Sequence, residues 1–85
     1  MPMPGFERVS YDPIIHDLIS SDDRIADCLI PVFKAILSGE RSLSLAYLAK
    51  RVYWTEACGF ILYVTVSSNG RFAEVSGYRK GSTQP

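Results

Sequence analysis

At 85 residues, with a hydrophobic fraction of 47% and no net charge, the chain fits a single globular domain and is too apolar to be disordered. Its longest apolar stretch, Gly59 to Val66, falls far short of the ~20 residues that a membrane-spanning helix needs. Charge is unevenly placed: residues 1–40 hold three basic and seven acidic side chains, residues 41–85 six basic and two acidic. That split suits either attraction between the two halves or a basic binding face.

Residues 1–9 read as a flexible arm, because Pro2, Pro4 and Gly5 disfavour regular structure. Phe6 and Val9 are its candidates for tucking against the body or adding a short edge strand. Asp12-Pro13 is a helix start: the carboxylate accepts free backbone N–H groups, and proline at the first helical position forfeits no needed donor. Ile14, Ile15, Leu18 and Ile19 form the apolar face of this short helix. Ser21-Asp22-Asp23 ends it and caps the next.

Ile25, Cys28, Leu29, Val32, Phe33, Ile36 and Leu37 repeat at alternating spacings of three and four, which predicts one buried stripe along a second helix. Pro31 lies inside it and predicts a kink or break near Leu29–Ile30. Gly39 supplies a left-handed stop. Leu45 to Arg51 then holds mostly good helix formers, which favours a third helix over residues 43–54 with Leu45, Leu48, Ala49 and Val52 inward. The alternation from Ser42 to Tyr47 and the triplet Tyr53-Trp54-Thr55 leave a strand as the alternative.

From Phe60 the period changes to two. Phe60–Ser67, the pair Asn69-Gly70 and Phe72–Tyr78 predict an antiparallel hairpin around a type I′ turn. In that register Leu62, Val64, Val66, Ala73 and Val75 face the core. Ile61, Tyr63, Thr65, Phe72, Glu74 and Tyr78 occupy the other face, and Phe72–Tyr78 would be an edge strand. Gly81–Pro85 reads as a disordered tail. The fold class expected is α+β, with two or three N-terminal helices packed on a C-terminal antiparallel β-hairpin.

Chemistry is sparse in this pattern. His16 and Asp17 are neighbours on a helix and point apart, so they make no ready dyad. Asp17, Asp22, Asp23 and Asp27 lack the glycine turn of a cation loop and are read as caps and solvated side chains. Cys28 and Cys58 match no zinc or redox spacing; each sits among apolar residues, so they read as two buried thiols, with a disulfide as the alternative. The N-terminus shows no basic stretch followed by an apolar run, and the location expected is the cytoplasm. No enzyme, cofactor or metal is implied.

Two surfaces point to binding. On the expected third helix Tyr47, Arg51 and Trp54 share one side, and these residue types are enriched in binding hot spots. The outer hairpin face adds Ile61, Tyr63, Phe72 and Tyr78. The function expected is therefore a small non-catalytic protein-binding regulator, adaptor or inhibitor of the kind phages and plasmids encode. Its partner would be another protein or a second copy of itself. The alternative is a winged-helix-like DNA-binding protein using Lys50, Arg51, Arg71, Arg79 and Lys80 as phosphate contacts.

Overall fold

A computed structural model of the chain describes residues 5–46 and 51–79, with the side chain of residue 79 left out. Along the chain run β1 (Arg8–Tyr11), α1 (Pro13–Ser21), α2 (Asp23–Ser38), β2 (Ser44–Leu45), β3 (Val52–Ala57), β4 (Phe60–Val66) and β5 (Phe72–Arg79). The strands form one mixed sheet in the order β1-β5-β4-β3-β2. Strand β1 runs parallel to β5, and the other neighbours are antiparallel. Both helices lie on one side of it, which makes a small α+β domain.

The helices begin where their capping residues dictate. Asp12 accepts the Ile15 N–H at 2.9 Å, and Asp22 accepts those of Arg24 and Ile25 at 2.9 and 3.2 Å. Gly39, at φ +82°, ends α2 in the left-handed conformation. The helix does not break at Leu29–Ile30. It runs unbroken through Pro31, because Leu29, Phe33 and Ile36 are buried against the sheet while Pro31 and Asp27 both face solvent. There the Asp27 carbonyl that proline leaves without an N–H is open to water. Ile15 of α1 completes the helix side of the core; Phe60, Leu62, Val64, Val66, Ala73 and Val75 supply the sheet side.

Other expectations are corrected as well. The helix over residues 43–54 is absent from the described part of that segment: Ser44–Leu45 and Val52–Ala57 are strands, and residues 47–50 lie outside the described residues. The β-branched and aromatic run Val52-Tyr53-Trp54-Thr55 wins because β4 offers it a complete ladder, from Val52↔Thr65 to Ala57↔Phe60. Residues 5–9 are not a loose arm; the alternative expected of Phe6 and Val9, tucking against the body and adding a short edge strand, is what forms. The Phe6 N–H donates to the Leu37 carbonyl at 2.9 Å, the Glu7 N–H donates to the Arg71 carbonyl at 2.8 Å, and Arg8–Tyr11 pairs with β5.

Strand β5 is consequently not an edge, since β1 and β4 flank it, and the terminal hairpin is one part of a five-stranded sheet. The cysteines are not buried thiols either: Cys28 and Cys58 form a disulfide with Cα atoms 6.0 Å apart, and Cys28 is exposed. It sits at the margin of the α2 stripe, where the helix passes the β3–β4 turn.

The predicted register of β4 and β5 is the one observed, including Ile61↔Tyr78 and Tyr63↔Ser76. The turns, however, exchange roles. Cys58 (φ +57°) and Gly59 (φ +78°) both adopt positive φ between Ala57 and Phe60, the pattern of a two-residue type I′ turn. At the β4–β5 turn only Gly70 has positive φ, the Gly70 N–H donates to the Ser67 carbonyl at 2.9 Å, and Asn69 Oδ1 accepts from Ser67 Oγ and the Arg71 N–H.

Gly77 marks where α1 comes closest to the sheet. A Cβ there would lie 2.9 Å from both Ile15 Cδ1 and Leu62 Cδ2, and neither residue has any exposed surface to move into. Gly77→Val should therefore cost about 1–3 kcal/mol through overpacking, read as a lower urea midpoint. An unchanged midpoint would show that α1 yields.

Candidate functional site: the helix-free face of the sheet

Alternation along β3, β4 and β5 sends every second side chain away from the helices. Paired residues line up across the strands, so Trp54, Tyr63 and Ser76 make one row and Glu56, Ile61 and Tyr78 the next. No helix among the described residues lies on this side. Trp54 is 39% exposed and Tyr78 53%. The Tyr63 and Tyr78 rings meet edge to face with centroids 5.8 Å apart, an arrangement that aromatic quadrupoles favour.

Beside them Ala46, Trp54, Ile61 and Tyr63 line an open depression of about 410 Å³. Its walls are apolar, with the Tyr63 hydroxyl and the Trp54 indole N–H as polar handles. Such a surface offers contact area and a few directed hydrogen bonds rather than a nucleophile or a base.

The far end of the same face is different. Phe72 is 37% exposed. The Arg8 guanidinium lies 5.2 Å from its ring centroid and that of Arg71 5.9 Å. Arg71 also grips the Glu7 carboxylate in a two-pronged contact, Nε to Oε2 and a second N–H to Oε1, and that hydrogen bonding raises its already high pKa. Arg8 and Glu7 could not be singled out from the sequence, because β1 shows no signal beyond a brief alternation. Their partners, Arg71 and Phe72, stand more than sixty positions away.

The helix on which Tyr47, Arg51 and Trp54 were expected to share a side is not seen among the described residues. Trp54 lies on β3 and joins Ile61, Tyr63 and Tyr78. Arg51 is exposed in the turn before β3, where its carbonyl accepts the Val66 N–H at 2.8 Å. Tyr47, Lys50 and Lys80 lie outside the described residues, as does the side chain of Arg79. The winged-helix outline would need a helix over Ser44–Arg51, of which Ser44–Leu45 is strand and residues 47–50 lie outside the described residues. Of its expected phosphate contacts, Arg71 is already engaged by Glu7.

Elsewhere, Asp12 and Asp22 serve as helix caps, and His16 is exposed on α1. Among the described residues no three His, Cys, Asp or Glu side chains gather into a possible metal site, and no helix is long and apolar enough to cross a membrane. No protein-family model matches the chain, and no curated protein matches it in sequence.

Proposed function

We propose that this chain is a small non-catalytic protein-binding regulator, adaptor or inhibitor that docks through the helix-free face of its sheet. The observation that carries the reading is the cluster of Trp54, Ile61, Tyr63 and Tyr78, brought together from three strands with Trp54 and Tyr78 substantially exposed. Tryptophan and tyrosine dominate the few residues that supply most interface energy. The charged Glu56, Glu74 and Arg8 lie around this centre rather than in it, which matches an apolar interface core with a polar rim.

Cytoplasmic residence is compatible with the Cys28–Cys58 bond if the pair is reduced and reoxidised there, since lasting disulfides belong to oxidising compartments.

Tyr63→Glu is the test. It places a charge in the middle of the cluster on a side chain that does not reach the core. Capture from the native host by the wild-type chain should recover a protein at fixed stoichiometry, and the variant should lose about 30-fold or more in affinity for it while remaining folded. Recovery that nuclease abolishes would favour nucleic acid. A doubled sedimentation mass that Tyr63→Glu halves would identify the occupant as a second copy. Unchanged recovery and mass in a folded variant would sink the proposal.

A further inference from the structure

The disulfide and the aromatic face meet at one place. Cys58 belongs to the two-residue turn that joins β3 to β4, and those two strands carry Trp54, Ile61 and Tyr63. Strand β2 pairs with Tyr53 and Trp54, so among the described residues β3 beyond Trp54 has β4 as its strand neighbour. Ties to the rest of the fold also hold this end. Arg41 donates from Nε to Thr55 Oγ1 at 3.1 Å and from a terminal nitrogen to the Glu56 carbonyl at 2.8 Å, and Cys58 is bonded to Cys28 on α2.

The conformation of Cys58 makes the disulfide consequential. It is the one described residue other than glycine with positive φ, at +57°. The left-handed region disfavours an L-residue with a Cβ by about tenfold, and within this turn the cross-link is a covalent restraint that opposes escape from it. Half-buried Cys58 packs against the core, whereas Cys28 is exposed at the margin of the α2 stripe, where a dissolved thiol can approach the bond. The linked residues are 30 positions apart and connect the helix layer to the sheet layer.

We infer that Cys28–Cys58 is a reversible redox clamp on the β3–β4 turn, ordering the end of the hairpin that carries Ile61 and adjoins Trp54. The consequence for docking rests on the face being the binding surface; the clamp itself does not. Opening requires an external dithiol. One of its thiolates attacks a sulfur of the pair, forming a mixed disulfide and expelling the other cysteine as a thiolate. The second thiol of the reductant then displaces the remaining cysteine and closes its own disulfide. Both cysteines take up protons, and the reductant has supplied the two electrons.

The experiment reads backbone order along the chain by NMR relaxation in three samples: oxidised protein, protein with excess dithiothreitol, and Cys28→Ser. All are held at a temperature where each is folded. Order parameters at Ala57, Cys58 and Gly59 should fall from about 0.85, typical of rigid backbone, to below about 0.6 on reduction, while Val64 and Val75 stay rigid. Cys28→Ser should match the reduced protein with or without dithiothreitol.

Unchanged order at the turn after reduction would overturn the clamp. So would a reduced protein that is unfolded at every temperature, because the bond would then be a permanent staple rather than a switch. A protein that keeps two titratable thiols in oxidised glutathione would overturn it as well. The measurement uses the chain alone, so the clamp stands or falls independently of the Tyr63→Glu capture.

Discussion

Phe33→Ala is expected to lower stability by about 3–5 kcal/mol, seen as a large drop in the urea midpoint with the slope retained. Phe33 is 3% exposed on the buried side of α2, and its ring lies 4.6 Å, centroid to centroid, from that of Tyr11 on β1. It therefore joins three parts of the molecule: the second helix, the central strands and the N-terminal strand. Truncation removes an aromatic payload that neighbours such as Leu29 and Ile36, fixed in their own burial, cannot refill. Domains of this size command roughly 5–15 kcal/mol in total, so the loss would be a large share of it. A drop below about 1 kcal/mol would mean that the α2 stripe does not pack on the sheet.

Cys28→Ser should cost about 3–4 kcal/mol under oxidising conditions, the loop-closure value for a cross-link between residues 30 apart. The covalent tie restricts the unfolded chain, and removing it returns that freedom. Dithiothreitol should lower the wild-type midpoint to that of Cys28→Ser and leave the variant unmoved, because both act on one bond. Equal wild-type midpoints with and without reductant would show that the cross-link does not form.

What could be read in advance was whatever local chemistry decides. Asp12 and Asp22 cap helices because their carboxylates reach N–H groups two or three residues further on, whatever the rest of the chain does. The β4–β5 register follows from period-two alternation on both sides of a short turn, so Ile61, Tyr63, Phe72 and Tyr78 could be assigned to one face before any tertiary contact was known. Trp54 could not. Its neighbours from Leu45 to Arg51 favour helix, and only the ladder with β4 makes Val52–Ala57 a strand. The patch was thus legible as hairpin residues and illegible as a three-strand cluster.

The two turns behave in a related way. Cys58-Gly59 and Asn69-Gly70 both end in glycine, and Asn69 is the better candidate for a left-handed residue. It instead uses its side chain to accept from Ser67 and Arg71, while Cys58 takes the left-handed conformation in the turn that the disulfide ties to α2. The two-residue connection between the paired Ala57 and Phe60 requires positive φ at both turn positions, whatever residue stands there. The edge assignment of β5 failed because its neighbour β1 is a short segment more than sixty residues upstream.

That β1–β5 pairing also imposes an order of assembly. Helices α1 and α2 and the meander β3-β4-β5 form from neighbours in the chain, whereas Glu7 and Arg71, which flank the parallel ladder, are 64 positions apart. Bringing β1 home closes a long loop whose entropy must be lost before its four paired residues reward it, so that step should come late and set the pace of folding. On a ribosome β1 must wait until β5 has been made. During the wait β5 is an open edge with Ala73 and Val75 bare on one side, and that interval is when the nascent chain is most exposed to pairing with a stranger.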